Sequence, residues 1–182
     1  MSELRSLIKS NLTDKDTIHS YLGTYEEYFE PLRDKPINVL EIGIYYGGSI
    51  KLWSEYFKQA NIYAVDKDDC AKWLSEHGNV TKYVNDAYSQ EFLDKIKDIK
   101  FDIIIDDGSH KHEDVLYVLK NMSHLLSDNG LLIIEDVQKE DLIGEMVESL
   151  PNNLRTKVEI VDLREVKNRY DDMMFVVDKS IE

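Results

Sequence analysis

Beyond Pro36 the chain alternates short β-type runs with runs of helical period. INVLEI (37–42), NIYAVD (61–66), VTKYV (80–84), FDIIID (101–106) and GLLIIED (130–136) read as strands, and two more follow near KVEIVD (157–162) and MMFVVD (173–178). Between them apolar residues recur at i, i+3, i+4 spacing. Ile50, Trp53 and Phe57 form one stripe. Val115, Val118, Leu119, Met122 and Leu126 form a second, and Leu142, Met146 and Leu150 a third that Pro151 ends. Strands alternating with helices of this length predict an α/β fold: a doubly wound, mostly parallel sheet of seven strands with helices on both faces. Ligands of such sheets sit beyond the carboxyl ends of the strands, so functional residues are expected after positions 42, 66, 84, 106 and 135.

The first 36 residues read as an N-terminal helical segment closed by Pro31 and Pro36, and residues 1–182 as a single domain of a size that can bury one core. No run approaches the roughly 18 apolar residues of a membrane span, and the N-terminus lacks the apolar centre of a signal peptide. Cys70 has no partner for an intrachain disulfide, so a reducing cytoplasm is the expected location. A formal net charge of −14 disfavours nucleic acid and suits a small neutral or cationic ligand. The oligomeric state is open, a homo-oligomer being compatible with everything above.

The stretch NVLEIGIYYGGSI (38–50) is a strand, a glycine turn and a helix start. A dinucleotide loop wants glycine two residues after its first glycine, but here Gly43 is followed by Ile44 and then Tyr45, whose ring would obstruct a pyrophosphate. A ligand without phosphate, such as S-adenosylmethionine, fits better. Glu41 can meet its cationic amino-acid end, Asp66 the ribose hydroxyls and Asp86 the adenine amino group. Each of these carboxylates can instead serve a turn or a cap.

EIGIYYGGSI, DDGSHKHED and IIEDV together resemble the class I S-adenosylmethionine-dependent methyltransferases, and among them the metal-dependent O-methyltransferases that modify sugars of macrolides and related natural products. TDKDTIHSYLGTYEEYF (13–29) is similar to the segment that precedes the fold in that group. The resemblance covers residues 37–178 and implies a Rossmann-like sheet. It also implies cofactor contacts from Glu41, Gly43, Gly48, Ser49, Asp66 and Asp86, and a hard divalent cation such as Mg²⁺ on Asp107, Glu135 and Asp136. Asp106–Asp107 and Glu135–Asp136 each end a strand, and in the sheet that the resemblance implies these two strands are neighbours about 4.8 Å apart, so their carboxylates converge and would repel without a cation. The competing expectation makes Asp107 or Ser109 a cap for a helix beginning near residue 110, and Asp136 a cap for the next helix. Family members usually carry longer N-terminal regions or lid insertions than this chain has.

The chemistry expected is methyl transfer to a vicinal hydroxyl of a sugar or glycoside. Asp107 helps hold the acceptor oxygens through the metal, and His110, three residues later, acts as general base. His112, two helical steps on and so turned by about 200°, is expected to face away and to serve as a control. His19, Tyr21 and Tyr25 are expected to close over the site. Two other classes remain at this point: a nicotinamide-dependent oxidoreductase, which would share Asp66, and a catalytically silent cofactor-binding subunit, which could dispense with the carboxylates and His110.

Overall fold

The structure, a computed structural model, describes residues 3–8 and 13–181. Its strands are β1 (Asn38–Ile42), β2 (Asn61–Asp66), β3 (Val80–Val84), β4 (Phe101–Asp106), β5 (Leu126–Ile134), β6 (Val158–Asp162) and β7 (Met173–Asp178). The helices are α1 (Glu3–Leu7), α2 (Leu22–Phe29), α3 (Gly48–Tyr56), α4 (Gln90–Ile96), α5 (His112–Asn121), α6 (Ile143–Ser149) and α7 (Arg164–Lys167). The strands form one sheet in the order β3-β2-β1-β4-β5-β7-β6, parallel except for β7, which runs antiparallel to both neighbours. All seven expected strands are present. β5 starts four residues before the expected Gly130, with a register break opposite Phe101 and Ile103.

Side chains alternate across the sheet, and this period of two divides the core. Val39, Ile103, Ile105, Leu131 and Ile133 point to one face, under α1, α2 and α3. Leu40, Ile42, Ile104, Leu132 and Ile134 point to the other, under α4, α5 and α6. The central strands are apolar on both faces because helices cover both, as a parallel sheet requires.

The N-terminal segment is only partly helical, and residues 9–12 of it lie outside the described residues. Residues 13–21 form turns and bends that run across the sheet's carboxyl edge, and α2 then drops into the first core. Tyr21, Leu22, Tyr25 and Phe29 are buried, with the Tyr25 and Phe29 rings 5.1 and 5.2 Å from Trp53 of α3. Such tilted and edge-on aromatic contacts add to the area they bury. The segment is therefore part of the core and not a detachable cover.

Crossovers leave β1 and β4 in opposite directions along the sheet, which opens a crevice beyond their carboxyl ends. Ile42 pairs with Asp106 and Asp106 with Ile134, so Gly43, Asp107 and Glu135 are level across three strands. The Asp107 amide donates to the Ile42 carbonyl at 2.9 Å and the Glu135 amide to the Asp106 carbonyl at 3.0 Å, extending the ladder one step past the strands. Gly43 is required there. Its φ is +94°, and a Cβ would lie 2.1 Å from the Asp107 carbonyl oxygen. Gly43→Ala is therefore expected to destabilise the fold by about 2 kcal/mol or more, read as a lower midpoint in urea unfolding, whereas Gly144→Ala, whose added Cβ meets nothing, should not.

Candidate active site

The alternation that builds the core also sorts the acidic residues. Glu41, Asp107 and Glu135 carry odd numbers on the central strands and face the side covered by the N-terminal segment, where one cation meets all three. Lys15 Nζ lies 2.7 Å from Asp107 Oδ2, 2.6 Å from Glu135 Oε1 and 3.5 Å from Glu41 Oε1. Its side chain is 1% exposed. Burial works against the ammonium, but the three carboxylates outweigh it and hold Lys15 well above the ordinary lysine range. Burial likewise pushes Glu135 well above the usual carboxylate range, reinforced by Asp107 and opposed by Lys15. Tyr25 Oη donates to Glu135 Oε1 as well. Glu41 is fully buried beneath this layer, with Trp53 Nε1 donating to its Oε2, and burial raises it to about 7. The structure therefore places Glu41 under the floor of the crevice, reaching it through Lys15.

Asp136, with φ +55°, departs from this alternation and meets the N-terminal segment at Tyr21 and His19 instead of Lys15. Its Oδ1 accepts from Tyr21 Oη at 2.6 Å and lies 3.4 Å from His19 Nδ1, and its Oδ2 lies 3.6 Å from His110 Nε2. Neither acidic pair caps a helix. The residue capping α5 is Lys111, and α6 begins only at Ile143. The helix expected near residue 110 begins at His112, and His110 precedes it in a left-handed conformation, φ +54°. This corrects the expectation for His112: it does not face away but borders the same cavity as His110, with Nε2 2.8 Å from Glu145 Oε2.

Two cavities meet at this point. One, of about 230 Å³, is bordered by the glycine loop (Gly43, Tyr45, Gly48, Ser49), by Thr13 and Asp14 of the N-terminal segment, and by Asp107, His110 and Asp136. The other, of about 190 Å³, is bordered by His110, His112, Glu135 and Asp136 with Val115, Leu142 and Met146. His110 and Asp136 belong to both. Tyr45, His110 and Asp136 are three of the five non-glycine residues with positive φ among those described. Backbone strain of that kind concentrates where a site over-determines the chain. Asp107, His110 and Asp136 offer one ligand atom each within 4.8 Å of one another, a grouping able to hold a cation.

On the far side of the glycine loop, Asp66 Oδ2 accepts from the amides of Ile44 at 2.9 Å and Tyr45 at 3.3 Å, and Oδ1 from Asp68 at 3.0 Å. Partial burial opposes its charge, but these donors prevail and hold Asp66 below the usual carboxylate range. Asp66 thus shapes the loop with part of its capacity. Asp86 is exposed at the end of β3 and accepts from the Tyr88 amide at 3.0 Å, a turn contact that borders neither cavity.

Reasoning from sequence assigned no role to Lys15, Tyr88 or Asp172. Tyr88 Oη donates to Asp106 Oδ1 and accepts from the Ser109 amide, both at 2.9 Å, so it fixes the DDGS turn. Asp172 Oδ1 holds the Ser20 amide at 3.1 Å and His19 Nδ1 at 3.2 Å, tying the N-terminal segment to the loop before β7. Lys15 lies within the TDKD stretch of the segment that resembles the family, but nothing local says where it points.

A seven-stranded sheet with β7 alone reversed, and with the glycine loop and carboxylates at the β1/β4 switch, defines a class I methyltransferase. Residues 40–137 match the family model described as a methyltransferase domain, and the chain belongs to that family. It is 34% identical over 135 residues to the 8-demethyl-8-alpha-L-rhamnosyl tetracenomycin-C 2'-O-methyltransferase of Streptomyces olivaceus, covering 69% of this chain and 35% of the relative. It is 32% identical over 145 residues to the demethylmacrocin O-methyltransferase of Streptomyces fradiae, covering 74% and 36%. The chain thus spans about a third of the length of these curated relatives. The MycE methyltransferase of the mycinamycin biosynthetic pathway, solved in complex with Mg and SAH, superposes with a TM-score of 0.72 at 26% identity, over 97% of this chain and 54% of that one.

Asp106 gives a test of the electrostatics. It is 3% exposed, its Oδ2 has no hydrogen-bond partner, and burial raises its carboxyl to about 6. An acid whose folded value exceeds its unfolded value of roughly 3.9 loses stabilisation as pH climbs between the two. Asp106→Asn keeps an acceptor for Tyr88. Its stability relative to the natural chain should rise from pH 4 to 6 by about 2 to 3 kcal/mol and then level off, measured by urea unfolding across that range.

Proposed function

We propose that this chain is the catalytic domain of an S-adenosylmethionine-dependent, divalent-metal-assisted O-methyltransferase acting on a hydroxyl of a sugar or glycoside, with Mg²⁺ the expected ion. The observation that carries the reading is the junction of two cavities at His110 and Asp136, one walled by the glycine loop and the other by a mixed polar and apolar surface. Methyl transfer needs such a junction, because donor carbon and acceptor oxygen must meet in line. The named relatives act as O-methyltransferases, and membership of a methyltransferase family sets aside the nicotinamide-dependent reading. We take residues 1–182 as one domain, with the N-terminal segment as a wall of the site. Among the described residues no helix is long and apolar enough to cross a membrane, and with a net charge of −14 and a single cysteine a small-molecule acceptor in the cytoplasm suits the chain.

In this reading Gly43, Gly48 and Ser49 line the cofactor's amino-acid end, Glu41 acts on it from below, and Asp66 and Asp86 lie toward the nucleoside. The cofactor supplies an activated methyl group. We assign Asp107, Glu135 and Asp136 as oxygen donors to a hard cation such as Mg²⁺, which would supply charge that eases ionisation of the acceptor hydroxyl; of the three, Asp107 and Asp136 already gather ligand atoms with His110, a group that does not include Glu135. His110 stands where its Nε2 can take the hydroxyl proton, and Asp136 Oδ2 at 3.6 Å stabilises the imidazolium that results. Tyr21 and Tyr25, buried and bonded to Asp136 and Glu135, keep water from that side.

Calorimetric titration decides the cofactor. S-adenosylmethionine should bind saturably and NAD should not, and Asp66→Ala should weaken binding by at least about 1 kcal/mol; the reverse preference would sink the reading. A chelator should abolish turnover on a sugar acceptor while cofactor binding persists, so full activity in excess chelator would remove the metal. His110→Ala should lose about 10² to 10⁴ in kcat. His124→Ala, at the amino-terminal end of β5, should lose little. Cofactor binding with no methyl transfer to any glycoside offered would favour a silent subunit.

A further inference from the structure

Lys15 is a buried cation in a site that is also expected to take a metal. We infer that Lys15 is a permanent positioning residue of that site, orienting Asp107 and Glu135 so that their remaining oxygens face a divalent ion. The inference rests on the metal reading above and goes beyond it.

The division of oxygen atoms motivates it. Lys15 Nζ engages Asp107 through Oδ2, while Asp107 Oδ1 faces His110 Nε2 at 4.0 Å, on the side where the ligand atoms of Asp107, His110 and Asp136 gather. On Glu135, both Lys15 and Tyr25 engage Oε1, leaving Oε2 to neither, and Glu135 borders the second cavity. Each carboxylate is thus held by one oxygen from the N-terminal side. Partners that hold metal-ligating groups in this way typically matter 10- to 100-fold for metal affinity.

Charge and burial indicate that Lys15 stays when an ion arrives. Glu41, Asp107, Glu135 and Asp136 bring four carboxylates to one pocket, more than a divalent ion alone offsets. An ammonium with 1% exposure that let go of them in place would be left buried without its partners, which is strongly unfavourable. The chain around it is tethered as well: Asp172 holds the Ser20 amide, and Lys167 Nζ donates to the carbonyls of Asp16 and His19.

The alternative is that Lys15 stands in for the metal and competes with it, which predicts the opposite sign. Mn²⁺ and Mg²⁺ binding should be measured by calorimetry on the full chain and on its Lys15→Met and Lys15→Gln variants, with unfolding midpoints recorded alongside. Lys15→Met should weaken binding by tenfold or more, and Lys15→Gln, which keeps a donor, by less. Equal or tighter binding by Lys15→Met would overturn the inference, since a merely structural lysine changes the midpoint and leaves the affinity of folded protein alone. Should either variant fail to fold, amine acetylation of the natural chain read by mass spectrometry decides. Lys15 must remain protected with and without saturating Mg²⁺, and labelling induced by Mg²⁺ would overturn it. If the natural chain binds no divalent ion, and Asp107→Asn and Asp136→Asn change nothing, the metal reading fails and this inference with it. Tight binding to the natural chain and Lys15→Met alike overturns only the role of Lys15.

Discussion

Four carboxylates converge on one end of this sheet, and their mutual repulsion is the constraint the rest of the structure answers. Register brings Asp107 and Glu135 level on adjacent strands, with Glu41 one layer below on the same face. Without opposite charge or bonds to their oxygens such a cluster would protonate or open. Lys15 supplies the charge, and Tyr21, Tyr25 and Trp53 supply donors. Three of these four groups come from the segment that precedes β1. The first core therefore does more than stabilise. By burying Tyr25 and Phe29 against Trp53, it sets the path along which Lys15 enters.

Strain is placed with similar economy. The ladder between β1 and β4 runs one residue past the strands and brings the Asp107 carbonyl against Gly43, where only glycine fits. Tyr45, His110 and Asp136, each with positive φ, then turn their side chains off the strand and helix directions toward a common space. Asp136 leaves the parity of its strand in this way and reaches His110 instead of Lys15. Lys15 thus holds Glu41, Asp107 and Glu135, and of the four carboxylates Asp107, Glu135 and Asp136 also border the cavities. His110 and Asp136 stand where the two cavities meet.

Much was legible in the chain itself. The alternation of strand and helix periods determined seven strands, both core faces and the crevice at the strand ends, because periodicity is a local property of which side chains can be buried. The glycine loop, Asp107, Glu135, Asp136 and His110 could be located in the same way, each lying just after a strand, while the roles expected of them came from the family resemblance. Helix phase was less secure. His112 was expected to face away from His110 on the assumption that both lie on one helix. The chain instead passes through a left-handed residue at His110 and starts the helix two residues later, which puts both histidines on one cavity.

Contacts between distant segments could not be read in this way. That Asp66 anchors the glycine loop is not written in its position at a strand end, and shows only in the amides of Ile44 and Tyr45 on its Oδ2. Glu41 follows the strand pattern, yet that pattern does not say that Trp53 and Lys15 occupy its oxygens. Lys15 is separated by 92 residues from Asp107 and by 120 from Glu135, and no local propensity links them. Its sequence context shows a polar residue in a turn-rich stretch, an ordinary solvated lysine by composition. The sequence by itself determined which carboxylates would end strands, since strand period acts over a few residues; that those strands are neighbours came from the family resemblance. Which cation they would meet was decided only by tertiary packing, because burying an ammonium becomes favourable only once three strands and the N-terminal segment have closed around it.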